Sequence, residues 1–500
     1  MDLEYIIVQA GGKGTRMKKL TQNKPKALVP VNNLPLIFHL FKKFSDKKFI
    51  IIGDYKIDVL KKYLEAFANV SYSVVDAKGK KGTCSGIKDA LNLIPENRSF
   101  MLVWSDLVLS EKLIIPQKKD NYVGISKSFV CRWKYENNGF IEEPSKEYGV
   151  AGLFLFKEKS LLAHLPFEGE FVRWLQGQNI EFKELDLAGS KEYGTTEAFG
   201  NDKVIRCRPF NELKIYEKKV VKKPVDTLGT ELAVREITWY KKVRQLGFHS
   251  IPEIYSYEPL CMERIKGKNI FECGELPFEE KRSVLKNIVE DLKKLHESED
   301  TDVSEKSFYD AYIEKTFSRL QKVRNLIPFS ENETLTINNK ECRNVFFQKE
   351  ALKEKIMQYV PKRFKLIHGD CTFSNIMLRE DNKPVFIDPR GYFGETELFG
   401  DEAYDWAKLY YSLFTNYDRF NSKNFTLEIS ERSVTVEIAS NNWEALESDF
   451  FEMIGEAFTK EQIRLIVAII WLSLTTYAWE DYDSICAAFY NGLYYLEEVL

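Results

Sequence analysis

The chain is poor in features that would announce a function directly. Its eight cysteines, at 84, 131, 207, 261, 273, 342, 371 and 486, form no CxxC pair. This excludes the common zinc and thiol–disulfide motifs and points to reduced thiols. No apolar run approaches the roughly 20 residues needed to cross a bilayer; Leu465–Leu472 is too short. Neither sign of charge dominates, with 72 basic residues against 75 acidic ones and a formal net charge of −3. There is no basic stripe and no basic amphipathic helix, so neither nucleic acid nor a membrane surface is an expected partner. Repeats and low-complexity tracts are missing. The first residues run straight into an apolar strand without a signal-peptide pattern, so a cytoplasmic location is expected. What remains is 500 residues, 44 % hydrophobic and 14 % aromatic, enough for two to four cored domains.

Two stretches carry chemistry. The first is Leu366–Asp388, LIHGDCTFSNIMLREDNKPVFID. An apolar run ends in His368-Gly369-Asp370, Asn375 follows five residues after the Asp, and a second apolar run delivers Asp388. A carboxylate at a strand-to-loop turn, an amide shortly after it and a carboxylate at the end of the next strand suit ATP-dependent phosphoryl transfer. The first accepts the hydroxyl proton and the other two hold Mg²⁺ between the phosphates. A hairpin whose polar residues cap its loops would share single pieces of this pattern but not the spacing.

The second stretch is N-terminal. Tyr5–Val8 runs into Gln9-Ala10-Gly11-Gly12-Lys13-Gly14-Thr15-Arg16-Met17, and Pro25-Lys26-Ala27-Leu28-Val29-Pro30-Val31 follows. Glycines directly after a strand let backbone N–H groups approach phosphate oxygens. Arg16 and Lys13 add charge suited to a triphosphate, and Lys26 can bridge a donor phosphate and an anionic acceptor.

The C-terminal pattern resembles the aminoglycoside phosphotransferase and choline kinase family, over about residues 203–500. That resemblance implies a protein-kinase-like α+β fold, with Asp370 as catalytic base and Asn375 and Asp388 as metal ligands. It also implies a nucleotide lysine, Lys222 in Val220-Val221-Lys222, although adjacent Lys223 faces the other way on a strand. The partner glutamate would come from the helix Glu231–Val243, as Glu236 or Glu231. Met262-Glu263-Arg264-Ile265 is the expected adenine hinge, with Glu263 as nucleotide-binding. No glycine occurs between Asn201 and Leu228, so a Gly-rich lid is missing and Arg208–Leu213 would have to cover the phosphates. Asp405 reads as structural support and His296 as a packed helix residue.

The N-terminal pattern resembles the nucleoside-triphosphate transferases that activate sugar phosphates or phosphocholine, over about residues 3–198. It implies a doubly wound, Rossmann-like α/β fold in which Gly11, Gly12, Gly14, Thr15, Gly82 and Thr83 bind nucleotide and Arg16 and Lys26 are catalytic. Asp106 and Glu192 would hold metal, Glu192 standing where the family usually has Asp. Glu143 and Gly152, in the segment Glu143-Pro144 to Phe154, would meet the acceptor. The alternation of strands Phe49–Ile52 and Val70–Val75 with helices over 56–67 and 84–94 fits a mostly parallel sheet with helices on both faces.

Domains of 1–200 and 201–500 are therefore expected. Their reactions run in sequence: the C-terminal domain phosphorylates a small alcohol with ATP, and the N-terminal one joins that phosphate to a nucleoside monophosphate from a second triphosphate, CTP favoured. Mg²⁺ and small-molecule substrates are implied. A nucleotide-activated precursor of a surface polysaccharide would be the product. A sugar 1-kinase with a sugar-1-phosphate nucleotidyltransferase is one alternative, and a chain with one degenerate, regulatory domain is another. Trp471–Tyr482, with Trp479 at its centre, sets aromatic faces beside carboxylates and could receive an organic cation, or could simply pack a helix pair. The period-two pattern of Phe425–Ile438 suggests an extra hairpin.

Overall fold

The structure is a computed structural model and describes residues 3–199 and 211–500. The chain divides into two compact units, Met1–Val204 with Ala478–Asp483, and Ile205–Tyr477 with Ser484–Leu500. The expected boundary at 200/201, and the Arg208–Phe210 part of the expected lid, lie outside the described residues.

In the first unit, strands β1 (Leu3–Gln9), β2 (Lys48–Gly53), β3 (Ser71–Asp76) and β4 (Ser99–Trp104) pair in parallel, in the order β3-β2-β1-β4. Helices α1 (Leu36–Lys43), α2 (Ile57–Phe67) and α3 (Ile87–Asn92) alternate with them. The strands read as unbroken apolar runs because both faces are covered; Ile6, Ile7 and Val8 are fully buried. The sheet extends through β5 (Tyr122–Ser126), β6 (Lys134–Glu136), β7 (Gly139–Ile141), β8 (Gly149–Phe156) and β9 (Lys183–Asp186) to nine strands. β8 joins β4 antiparallel, so the parallel order ends there. This is a mixed α/β, Rossmann-like sheet. Its loops at the C-terminal ends of β1 and β4 lie side by side, the position where such sheets bind ligands.

The second unit opens with an antiparallel sheet in the order β10-β11-β13-β12: β10 (Asn211–Ile215), β11 (Lys219–Pro224), β12 (Ile254–Tyr257) and β13 (Leu260–Glu263). Helix α4 (Thr227–Gln245), capped by Asp226, connects β11 to β12. A small sheet follows, built from β14 (Gly267–Asn269), β16 (Ile376–Arg379) and β17 (Pro384–Phe386). Helix α5 (Phe278–Ser298) packs against β17 and against β15 (Phe364–Leu366), the strand that precedes His368. Helices α6 (Lys315–Val323), α7 (Glu402–Leu413) and α8 (Lys460–Leu474) belong to the helical part; α8 packs on both of the others. Antiparallel sheet, single connecting helix and helical remainder make this half the expected kinase-like α+β fold. The hairpin forms as Phe425–Ile429 and Ser433–Ile438.

Candidate functional sites

In the first unit the glycine loop turns off the end of β1. A Cβ on Gly11 would stand 2.9 Å from the Cβ of Asp54, whereas nothing lies within 4 Å of the corresponding point on Gly12. One face of the loop is therefore packed and the other open. Gly14 is left-handed (φ +64°) and starts the short helix Thr15–Thr21, which carries Arg16. Lys13, Thr15, Lys18, Lys19 and Tyr55 line an open cleft beside it, with the Lys13 ammonium 5.5 Å from the Tyr55 ring centre.

Lys26, only 9 % exposed, is salt-bridged to Asp106, two residues beyond β4. Glu192 joins them: burial raises its pKa and the Asp106 charge adds to this, while Lys26 and Arg16 oppose it. A Cβ on Gly194 would be 3.4 Å from an Arg16 Nη and would overlap the Glu192 carboxylate, so Gly194 sits between those groups. Arg16, Lys26, Asp106 and Glu192 thus form one cluster of two cations and two carboxylates. Two half-buried carboxylates that repel each other, with oxygen donors only, suit a hard divalent cation such as Mg²⁺.

Gly82 is held in the left-handed region (φ +86°), and a Cβ there would overlap the Gly169 carbonyl. Thr83 Oγ1 accepts a hydrogen bond from the Phe171 N–H (2.8 Å). Gln9, which the sequence reading did not single out, donates through Nε2 to the carbonyls of Thr83 (2.6 Å) and Ser85 (3.2 Å). The end of β1 therefore fixes the loop expected to meet the base. Gly152 (φ +76°) lies where the pairing of β8 with β5 skips between Val150 and Phe154, its Cα against the Trp104 ring. Glu143 is exposed and salt-bridged to Lys134 (2.9 Å). Trp479 packs on Phe38 and Phe67, with ring centres 5.6 and 5.9 Å away, in the same unit.

In the second unit Lys222 donates to Glu236 (2.7 Å) and to Asp388 (2.8 Å). Lys223 and Glu231 are exposed. Burial alone would lower the Lys222 pKa; the Asp388 and Glu236 charges hold it above its ordinary value. Asn375 Nδ2 donates to the Asp370 backbone carbonyl (2.9 Å) and carboxylate (3.1 Å). Its Oδ1 is thereby assigned as an acceptor, and with the Asp388 carboxylate it makes an oxygen-only donor set that fits Mg²⁺. Asp388 itself has φ +54°, a left-handed backbone conformation.

The His-Gly-Asp turn is held from below. Asp405, fully buried, accepts from the N–H groups of His368 (2.8 Å) and Gly369 (2.7 Å) and pairs with His296 Nε2 (3.0 Å). Burial opposes its charge, but these partners keep its pKa below the usual range. The Trp239 indole on α4, three residues after Glu236, donates to the Ile367 carbonyl (2.8 Å) and ties the Lys222–Glu236 pair to the same turn. Asp401 is the cap of α7. Glu263 forms a two-pronged pair with Arg379 (2.6 and 2.7 Å), and its N–H donates to the Glu253 carbonyl (2.8 Å).

Sequence reasoning missed Lys408, which is salt-bridged to Asp370 (2.9 Å). Every residue from Ala403 to Leu413 is buried, and a lysine in such a row needs a buried partner. Trp471 is buried against Tyr411 and Phe420, and the Tyr477 face carries Arg319.

Residues 5–153 match the nucleotidyl transferase family, and residues 216–425 match the phosphotransferase enzyme family. A D-glycero-alpha-D-manno-heptose 1-phosphate guanylyltransferase of Campylobacter jejuni is 32 % identical over 100 residues, covering 19 % of this chain and 45 % of that protein. The chain thus spans less than half the length of that relative. A CTP:phosphoglutamine cytidylyltransferase of the same organism is 24 % identical over 231 residues, 40 % of this chain and 90 % of that protein. Among solved structures, the inositol-1-phosphate CTP transferase from T. maritima is 16 % identical, covers 40 % of this chain and 92 % of that one, and has a TM-score of 0.34.

Proposed function

Because the chain carries an N-terminal nucleotidyltransferase domain and a C-terminal domain of the phosphotransferase enzyme family, we propose that it is bifunctional and performs consecutive steps. The second unit phosphorylates a small alcohol with ATP. The first transfers a nucleoside monophosphate, CMP favoured, to the new phosphate and releases pyrophosphate. The observation that supports this best is the presence of two separate constellations, Lys222–Glu236–Asp388 with Asp370–Asn375 in one unit and Arg16–Lys26–Asp106–Glu192 in the other. A regulatory remnant would have no reason to keep both.

In the phosphorylation step Asp370 orients the acceptor hydroxyl and takes its proton as the γ-phosphoryl group moves. Asn375 fixes the Asp370 carboxylate, and Lys222, steadied by Glu236, pairs with the α/β-phosphates. Mg²⁺, when bound at Asn375 and Asp388, neutralises charge that develops on the phosphates. In the nucleotidyl step the nucleophile is already mostly dianionic at pH 7, its second pKa being about 6, so no general base is needed. Arg16 and Lys26 align it with the α-phosphorus and offset anionic repulsion. The likeness to a cytidylyltransferase over 40 % of the chain supports CTP as the second nucleotide. A place in surface-polysaccharide synthesis follows from the kind of product, a nucleotide-activated small molecule.

Asp370→Ala should abolish phosphorylation and leave nucleotidyl transfer to a supplied phosphomonoester intact; Lys26→Ala should do the reverse. Product analysis of both reactions in both variants checks this. Loss of both activities in each folded variant would refute two independent sites.

A further inference from the structure

The cations around Asp370 outnumber those that ATP transfer requires. Arg390 donates its N–H to the His368 carbonyl (2.9 Å) and its Nη1 to the Tyr404 hydroxyl (3.0 Å). Lys408, already paired with Asp370, lies 5.8 Å from the centre of the same Tyr404 ring, and Lys315 lies 5.5 Å from it. Three cations therefore share one buried ring. Arg319, four residues after Lys315 on α6, donates to the Ser473 carbonyl (2.7 Å) and covers the Tyr477 ring at 5.0 Å. Tyr477 is 42 % exposed, so this row of cations reaches the surface. Among the described residues Lys315, Arg319 and Arg390 form no salt bridge with a carboxylate.

The crowding has an electrostatic signature. Burial, reinforced by Arg390, Arg319 and Lys408, pulls Lys315 down to about 8. Burial alone would raise Tyr404, yet Lys315, Arg390 and Lys408 bring its phenol down to about 7. A site charged in this way repels an organic cation and is left unbalanced by a neutral polyol. Nor does ATP account for it, since its lysine, Lys222, is held elsewhere by Glu236 and Asp388.

We propose that the acceptor alcohol bears an oxyanionic group, a carboxylate or a phosphate, bound by Lys315, Arg319 and Arg390 while its hydroxyl faces Asp370. This rests on the phosphotransferase reading above and gives it a substrate class. The bond between the γ-phosphorus and the β,γ-bridging oxygen breaks, the acceptor oxygen–phosphorus bond forms, the hydroxyl proton passes to Asp370, and ADP leaves. The anionic group is not consumed. It holds the hydroxyl in place and offsets cations that would otherwise repel one another.

The test uses the full chain with Mg·ATP and acceptors in matched sets: glycerol, glycerate and glycerol 3-phosphate; glucose, glucuronate and glucose 6-phosphate; and choline. At least one anionic member should exceed its neutral counterpart tenfold or more in kcat/KM, and the carboxylate and phosphate arms tell the two sources apart. Lys315→Met and Arg319→Met should remove most of that preference by raising KM, and Lys315→Arg should restore it. Equal or better use of neutral members or choline, or a preference that survives both variants, would overturn the assignment. If no alcohol is phosphorylated, it is the phosphotransferase reading that fails. The anion site is then decided by calorimetry of inorganic phosphate on the chain loaded with Mg²⁺ and a non-hydrolysable ATP analogue. Affinity should fall at least tenfold in Lys315→Met and Arg319→Met while analogue affinity, which reports folding, is kept. Phosphate affinity that does not depend on these two residues would sink the proposal.

Discussion

At the scale of single residues, Gly82 is constrained both by its backbone angle and by its neighbour. Its φ of +86° is costly for any residue with a side chain, and its Cα sits where a Cβ would overlap the Gly169 carbonyl. Gly82→Ala must move backbone, because a carbonyl cannot swing aside as a long side chain can. The loop through Ser85, tied to Gln9 and Phe171, would move with it. The expected result is a stability loss of about 2–4 kcal/mol for the first unit, from strain plus overpacking, and a rise in the KM for the nucleotide, while phosphorylation by the other unit continues. Thermal unfolding and steady-state kinetics of the variant check both; an unshifted melt would contradict the packing. The catalytic-loop residues were legible in the sequence because their chemistry is written in short spacings, as Asp370, Asn375 and Asp388 are. Gln9 and Lys408 were not, since their partners stand 74 and 38 residues away and only the folded sheet and helices bring them together.

At the scale of elements, α7 links burial to pH. Its cap, Asp401, is 1 % exposed and accepts from the Ala403 N–H (3.0 Å) and the Tyr312 hydroxyl (2.8 Å). Burial outweighs both bonds and pushes its pKa up to about 7. An aspartate in the unfolded chain ionises near 4. Between roughly pH 4 and 7 the folded state keeps a proton that the unfolded chain has released. The contribution of this group is thus complete below about pH 4 and is lost as pH rises towards 7, by up to about 1.4 kcal/mol per pH unit. Asp401→Asn cannot titrate there and should flatten the fall of the second unit's unfolding midpoint across that window. An unchanged slope would show that Asp401 ionises normally. The parallel sheet of the first unit was readable from the alternation of apolar strands and helices, and the long α4 from the family resemblance. The aromatic stretch at Trp479 was not, because composition does not say which face of a ring is covered, and here Phe38 and Phe67 cover it.

At the scale of the whole molecule, both halves have the fold class their motifs imply, but the compact units are not two simple halves of the chain. The first unit includes Ala478–Asp483. Within it, Lys24 is 2 % exposed and salt-bridged to Asp481 (2.9 Å) and Asp483 (2.5 Å). Replacing both aspartates with asparagine leaves a buried ammonium without its counter-charges, a change of about 3–5 kcal/mol. The temperature at which nucleotidyl transfer is lost should drop accordingly. Survival of that activity to the original temperature would mean the two carboxylates are dispensable to the unit.

That six-residue contribution also sets an order in time. A ribosome finishes residue 204 long before it reaches residue 483, and at about 5–20 residues per second the interval is roughly 15–55 s. Throughout it, the nascent first unit holds Lys24 without the carboxylates that balance it in the finished protein. The unit whose residues are mostly made by position 204 is therefore completed late, and its maturation waits on translation through Asp483.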